Sequence, residues 1–193
     1  VRTVTFKKES DENLRFEIFE RLNTGAMPLN DQELRNCIYR GRYNQLLIFL
    51  SEDPDYRFLM GLTGPERRMR DVEYVLRFAS FFHSTYLNYK PSMARFLNDD
   101  MRKYQHISKQ DENELTKAFK QTMSIIRSIL GKNAFHRFYR GEEENKDGYW
   151  EQKRFNASIY DVLTWSFTRY DKNSLMSNLD LIREEWLTLL TTD

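Results

Sequence analysis

The sequence is short of cysteine, proline and glycine, and each shortage excludes classes of protein. Its one cysteine, Cys37, excludes an intrachain disulfide and a zinc site built from several cysteines. Such low cysteine use is typical of the reducing cytoplasm, so we expect a cytoplasmic protein. Seven glycines and four prolines in 193 residues leave few turns, which favours a helix-rich globular domain.

Long apolar runs and a large excess of charge of one sign are also missing. No segment approaches the roughly 20 apolar residues that a membrane-spanning helix needs, so we expect no membrane partner. The formal net charge of +1 does not by itself indicate binding to nucleic acid or to an acidic membrane. Any contact with DNA must therefore come from local groups of basic residues.

The motifs of common catalytic and nucleotide-binding sites are absent as well. The sequence contains neither a GxxxxGK[ST] nor a GxGxxG phosphate-binding loop, and His83, His106 and His136 stand in no metal-ligand spacing. We therefore predict no metal site and no independent nucleotide site, and interpret the histidines as ordinary, partly exposed side chains. The acidic run at residues 142–147 lacks the ligand spacing of a calcium loop and is predicted to be a solvated, mobile loop.

Hydrophobic periodicity predicts a single all-α domain over residues 1–193, a multi-helix bundle with at most one short N-terminal strand. Its predicted parts are a strand at residues 1–7, a helix pair at 10–39, a helical body at 42–139, a loop at 140–154 and C-terminal helices at 155–193. A lone strand has no partner for its backbone groups. We interpret it as the last strand of an α/β region that precedes this chain in a longer protein.

Local start and stop signals divide the helical parts further. The predicted helices cover residues 42–50, 65–89, 91–104, 108–130, 156–170 and 174–190. Pro65 is placed at a first helical position, Ser108 caps the longest helix and Gly131 ends it. In the helix at 65–89 the predicted buried side consists of Val72, Val75, Leu76, Ala79, Phe82 and Tyr86.

The stretch IFERLNTGAMPLNDQELRN, residues 18–36, predicts a helix, a glycine turn and a second helix. Gly25 stands where the first helix ends. Asn30 begins the second helix, and Glu33 follows three residues later, as in a capping box. A turn through Gly25 brings Asn23 and Glu33 towards one point. Two interpretations of this pair are open: helix caps, or part of a functional site.

Two groups of arginines are candidates for contacts with DNA. The first lies in PERRMR, in the predicted first turns of a helix, where the helix dipole disfavours cations. The second, in FHRFYRG, alternates with aromatic residues that can stack on bases. Neighbouring carboxylates can neutralise both groups, so a salt-bridged surface and a DNA-binding face both remain open. The candidate residues are Arg67, Arg68, Arg70, Arg137 and Arg140.

The stretch FERLNTGAMPLNDQELRN resembles a signature of the N-terminal domain family of GmrSD-type restriction endonucleases. The signature runs Phe-x3-Asn-x5-Leu-x3-Glu and is matched by Phe19, Asn23, Leu29 and Glu33. Farther along, RRMRDVEYVLRF and RFNASIYDVL are similar to an arginine-led helix and a late helical segment of these proteins. The resemblance therefore spans most of the chain, and it leads us to expect that Phe19 and Leu29 pack the two helices together.

The resemblance implies a ParB/sulfiredoxin-like α/β nucleotide-binding region followed by a helical part. Members hydrolyse nucleoside triphosphates to support the cleavage of modified phage DNA, so NTP and Mg²⁺ are implied for the full-length protein. The Asp-Gly-Gln-Gln-Arg motif associated with the nucleotide chemistry is absent here, and no HNH-type nuclease portion is recognisable. We therefore expect this chain to be the helical part, without cofactor and without catalytic activity on its own.

In that interpretation Asn23 and Glu33 are supporting catalytic residues of a site that the upstream ParB-like region completes. Glu33 then either positions a hydrated metal ion or orients an arginine of the upstream motif. Two functions of other classes remain open. One is a DNA-binding module that uses the arginine groups, and the other is a helical protein-interaction scaffold that forms homo-oligomers.

Overall fold

A computed structural model describes residues 18, 21, 28–141, 147–152 and 154–191. The predicted strand at residues 1–7 lies outside these described residues, as do Phe19, Asn23 and Gly25 of the junction.

Helices dominate the described part of the chain, which contains nine α-helices, two short 3₁₀ turns and one two-stranded sheet. In chain order the helices are α1 (Asp31–Ile38), α2 (Arg42–Leu50), α3 (Pro54–Met60), α4 (Arg70–His83), α5 (Met93–Tyr104), α6 (Lys109–Leu130), α7 (Ala157–Phe167), α8 (Lys172–Ser177) and α9 (Leu179–Thr191). The 3₁₀ turns are Tyr86–Asn88 and Gly131–Asn133. The all-α, multi-helix prediction is confirmed. None of the described helices has the length and apolar character to cross a membrane.

The loop predicted at residues 140–154 contains one strand of a small hairpin. Strands β1 (Phe138–Tyr139) and β2 (Tyr149–Trp150) pair antiparallel. Gly148 has a φ of 70°, and a Cβ there would stand 2.5 Å from the Tyr139 carbonyl oxygen, so the turn requires glycine. Strands of two residues are too short to show the alternation by which sequence patterns reveal a strand.

Short polar side chains begin most helices, because they accept hydrogen bonds from N–H groups that have no partner inside the helix. Asp53, Ser92, Ser108, Asn156 and Asp171 all act in this way. The predicted bounds of α2 are confirmed, as are the Ser108 cap of α6 and its end at Gly131. Helix α3 was not predicted, although the Asp53–Pro54 pair is a recognisable start signal.

The helix predicted at residues 65–89 is much shorter in the structure, where α4 begins at Arg70 and ends at His83. Before α4, Met69 adopts a left-handed conformation with φ of 53°, and its N–H donates to the Glu66 carbonyl in a turn. Pro65, Arg67 and Arg68 therefore precede the helix, and their predicted helical placement is wrong. After His83 the backbone becomes extended at Ser84.

The C-terminal prediction is wrong in a similar way. The helix predicted at residues 174–190 is divided at Asn178 into α8 and α9. The Asn178 side chain donates to the Ser174 carbonyl at 2.9 Å, which satisfies an oxygen at the end of α8.

The core is built around α6, the longest helix. Its apolar stripe is fully buried at Leu115, Phe119, Met123 and Ile126. The Phe119 ring lies 5.4 Å from the Tyr56 ring of α3 and 5.1 Å from the Phe78 ring of α4, measured between centroids. Aromatic residues make up 15% of the sequence, and packing of this kind is one of their roles. Through it, Phe119 of α6 contacts both α3 and α4.

A buried arginine fixes α1 against the rest of the bundle. Arg35 is 1% exposed and donates to Asn98 Oδ1 of α5 at 2.8 Å and to Glu73 Oε2 of α4 at 3.2 Å. A third bond, at 3.1 Å, goes to Gln32 Oε1 within α1. Burial lowers the pKa of Arg35, while the charge of Glu73 opposes this effect. The orientation of α1 therefore depends on polar partners from two other helices.

We expect Arg35→Gln to lower the free energy of unfolding by about 1.5–3 kcal/mol, because it leaves Asn98 and Glu73 without their charged donor. Urea unfolding measures the change. Arg102→Gln is the matched control, since Arg102 forms an exposed pair with Asp99 and should change stability by less than about 0.5 kcal/mol. Equal effects of the two substitutions would contradict a structural role for Arg35.

Candidate functional site

The start of α1 has the predicted capping box. Asn30 Oδ1 accepts the Glu33 N–H at 2.8 Å, and Glu33 Oε2 accepts the Asn30 N–H at 2.7 Å. Each side chain thereby satisfies a backbone donor of the other residue. The local sequence is enough to produce this arrangement, and the prediction for these two residues is confirmed.

Arg68 from the turn before α4 lies against this capping box. Its Nη2 is 3.3 Å from Glu33 Oε2 and donates to the Pro28 carbonyl at 3.0 Å. In return, Asn30 Nδ2 donates to the Arg68 carbonyl at 2.7 Å, between residues 38 positions apart in the sequence. The structure thus brings a residue of the signature together with a residue of the first arginine group. We call Pro28, Asn30, Glu33 and Arg68 the junction site.

The remaining signature residues are less informative. Leu29 keeps 42% of its surface exposed, so it packs less deeply than predicted. It precedes the cap and therefore lies outside the buried stripe of α1. The other two positions of the signature, Phe19 and Asn23, are not among the described residues. Of the predicted pair Asn23 and Glu33, the structure places Glu33 alone.

A series of side-chain contacts between α4 and the segment just before α7 links one residue of the first arginine group to one residue of the second. Arg70 forms a hydrogen bond with the Tyr74 side chain. Burial raises the pKa of the Tyr74 phenol, and the charges of Arg77 and Arg70 oppose that increase. The Tyr74 ring lies 4.4 Å from the Phe155 ring between centroids. Phe155 in turn lines a cavity of about 260 Å³ together with Arg137 and Arg154. We call Arg70, Arg137 and Arg154 the arginine face.

The arginine face was only partly predicted from the sequence. Arg154, which the sequence analysis missed, stands two residues before the Asn156 cap of α7. Arg67 and Arg140 are exposed but do not line the cavity. One acid, Glu151, shares it, and the Glu151 N–H donates to the Arg137 carbonyl at 2.8 Å. Within the described residues, no ion pair within 4 Å involves an arginine of this face. Arg68, which belongs to the junction site, differs in this respect because it is paired with Glu33.

A buried polar cluster lies between α2, α4 and α5, and no motif in the sequence predicted it. His83 Nδ1 is 2.9 Å from Asp100 Oδ1, and the Tyr43 hydroxyl donates to Asp100 Oδ2. The imidazole stacks on the Tyr104 ring at 3.7 Å between centroids. Burial, followed by the Asp100 charge, raises the pKa of Tyr43 well above its usual range.

The cluster corrects the prediction of a partly exposed His83, whose side chain is 7% exposed. Its residues come from three helices, so sequence spacing could not reveal them. The cavities found in the described structure are not lined by Tyr43, His83 or Asp100. We therefore interpret the cluster as a structural tie between helices. Among the described residues, no group of three or more His, Cys, Asp and Glu side chains could hold a metal ion.

Comparison with known proteins identifies no protein that is similar to this chain. No family model, no curated protein and no solved structure matches the chain. The resemblance to GmrSD-type proteins therefore depends on the signature and the two later segments alone.

We expect Asn30→Ala to lower the free energy of unfolding by about 1 kcal/mol, because the Glu33 N–H loses its acceptor. Asn30→Ser should lose less than half as much, since a serine hydroxyl accepts the same bond, whereas both variants lose the Nδ2 bond to the Arg68 carbonyl. Chemical unfolding of the two variants measures the difference. If Asn30→Ala matched the unsubstituted protein, the capping box would have no energetic role.

Proposed function

We propose that this chain forms the helical part of a GmrSD-like, NTP-dependent protein that restricts modified DNA in defence against phage. The Phe-x3-Asn-x5-Leu-x3-Glu signature carries the proposal. Its Glu33 lies 3.3 Å from Arg68, which belongs to the second segment that is similar to this family. The proposal includes a cytoplasmic location, which the single Cys37 favours.

Glu33 supports this function because, among the described residues, contacts engage only one of its carboxylate oxygens. Within the described structure, the bonds to Asn30 and Arg68 both use Oε2. Oε1 therefore has the capacity to orient a hydrated Mg²⁺ ion or an arginine of the ParB-like region. Mg²⁺ takes near-octahedral coordination, so a single carboxylate oxygen is too little to hold it. The NTP and its metal ion accordingly require residues of the upstream region, and Asn23 is the second supporting residue from this chain.

We expect this chain with Mg²⁺ and radiolabelled NTP to show no turnover. In the full-length protein, Glu33→Ala or Asn23→Ala should lower NTP hydrolysis by at least about 100-fold, the usual contribution of a group at the reacting centre. Phosphate release measures the rate, and circular dichroism verifies folding. Glu112→Ala is the matched control, because Glu112 forms ion pairs with Arg42 and Lys109 at a distance from the junction site. Turnover by this chain alone, or full activity of Glu33→Ala, would overturn the proposal.

A second candidate function is direct DNA binding through the arginine face. Arg70, Arg137 and Arg154 are exposed and have no ion pair within the described residues, so their guanidinium groups are available to phosphates. The tertiary structure supplies the grouping, since Tyr74 and Phe155 join two segments that are far apart in the sequence. Glu151 reduces the positive field of this face, which makes moderate, salt-sensitive affinity the expected behaviour.

For DNA binding we expect affinity that falls steeply with salt. The double variant Arg70→Gln/Arg154→Gln should reduce the slope of log K against log salt by about 2, because each lost phosphate contact removes about 0.9. Fluorescence anisotropy with labelled duplex DNA measures the slope. Arg102→Gln/Arg127→Gln changes the net charge equally at residues paired with Asp99 and Asp55, and should preserve the slope. No binding at low salt would exclude this function for the chain.

A further inference from the structure

Two adjoining cavities open beside the C-terminal end of α4. One, of about 380 Å³, has Phe78 and Phe82 in its lining, and the other, of about 420 Å³, has Tyr86 and Tyr89. Both cavities share Phe81 and Trp165. We call the two together the aromatic groove. It lies outside the junction site and the arginine face, and neither proposed function uses it.

The rim of the aromatic groove is apolar and exposed. Tyr86 is 54% exposed and the adjacent Leu87 is 75% exposed. Phe82 and Val162 are also among the exposed large apolar side chains. Phe82 and Tyr86 were predicted to be buried, but α4 ends at His83, so Tyr86 leaves the helical stripe. Clustered exposed apolar side chains around a concave surface are typical of a binding site.

Two donors of the groove have no ion pair or hydrogen-bond acceptor among the described residues. The Arg169 guanidinium stacks 4.0 Å from the Trp165 ring centroid, and it has no ion pair among the described residues. Trp165 Nε1 is buried and has no acceptor in the described part of the chain. The acid in the lining, Asp161, already accepts from Arg77 Nε at 2.9 Å and from Arg77 Nη2. The groove therefore carries an uncompensated positive charge beside an aromatic floor.

The two threonines of the groove are engaged with backbone oxygens. Thr164 Oγ1 donates to the Tyr160 carbonyl at 2.8 Å, and Thr168 Oγ1 donates to the Thr164 carbonyl at 2.6 Å. A third cavity, of about 280 Å³, shares Phe82 and Thr168 with the groove and adds the exposed Lys117. Glu114 also lines it and accepts from Gln110 Nε2 at 2.9 Å. Arg169 therefore lines the first cavity of the groove, and Lys117 lines the neighbouring third cavity together with Glu114.

We propose that the aromatic groove docks a peptide segment in which large apolar side chains flank a carboxylate. Stacking on Trp165 holds the Arg169 guanidinium in one plane, which leaves its N–H edge to bind a carboxylate in bidentate geometry. The apolar side chains of the peptide then cover Phe81, Phe82 and Tyr86, and aromatic residues of this kind usually carry most of the binding energy in such an interface. A nucleic acid strand needs several phosphate contacts, whereas this groove presents a single guanidinium.

The test uses the 193-residue chain and three short fluorescein-labelled peptides. The first consists of Leu, Phe and Glu, the second has Gln for every Glu, and the third has Ala for every Leu and Phe. We expect the first to bind most tightly by fluorescence anisotropy. Arg169→Gln should weaken its binding by about tenfold, as expected for the loss of a charged hydrogen bond, and should leave the Gln peptide unaffected. Tyr86→Ala, at an exposed position, should weaken the first and second peptides alike.

Lys120→Gln is the matched control, because it removes a cation that lies 5.1 Å from the Phe49 ring at another surface. It should leave all affinities unchanged. Equal affinity for the Glu and Gln peptides, or no effect of Arg169→Gln, would overturn the proposal. So would sedimentation showing a dimer that Tyr86→Ala dissociates, since a second copy would then cover the groove. Competition by an oligonucleotide with the same dependence on Arg169 would assign the surface to nucleic acid instead.

Discussion

The ion pair between Arg77 and Asp161 joins α4 to α7. The arginine face and the aromatic groove both depend on the packing of these two helices. Burial raises the pKa of Asp161, an effect that Arg77 opposes, and removing one member of such a pair leaves an uncompensated charge. About one turn towards the start of α4, Tyr74 contacts Phe155 and supports the arginine face. One turn in the other direction, Phe81 and Trp165 form the shared wall of the aromatic groove. This ion pair, together with the bond from the Tyr160 hydroxyl to the Tyr74 carbonyl at 2.8 Å, therefore sets the register of α7 on α4.

The junction site depends on a different constraint, the burial of Arg35. Its guanidinium needs acceptors from α4 and α5, so α1 has one favourable position on the bundle. That position brings Glu33 to the turn that carries Arg68. In the proposed function, the contact with Arg68 would orient the Glu33 carboxylate towards a nucleotide site in the upstream region. Because the cap and the ion pair use Oε2, the functional role that we propose for Glu33 would use its other oxygen, Oε1.

Much of the fold was predictable where the controlling interactions are local. The bounds of α2, the cap and end of α6 and the capping box at Asn30 all follow from residues within one turn. Predictions were wrong where a tertiary contact competes with the local pattern. The turn before α4 replaces a predicted helical segment, and Arg68 in this turn bonds to Asn30 and Pro28, which lie 38 and 40 positions earlier. The hairpin strands and α3 are too short for periodicity to identify.

For the candidate surfaces, the sequence by itself determined some of the candidate residues, although it placed Arg68 in a helix that begins only at Arg70. It identified Glu33 as a capping residue and three arginines of these surfaces, Arg68, Arg70 and Arg137, because capping and local charge patterns involve a few neighbouring residues. Tertiary structure alone decided that Glu33 meets Arg68, that Arg154 joins Arg137, and that Phe82 and Tyr86 border a groove instead of filling the core. These contacts join distant segments, and their energies depend on burial and on partners that no local pattern contains.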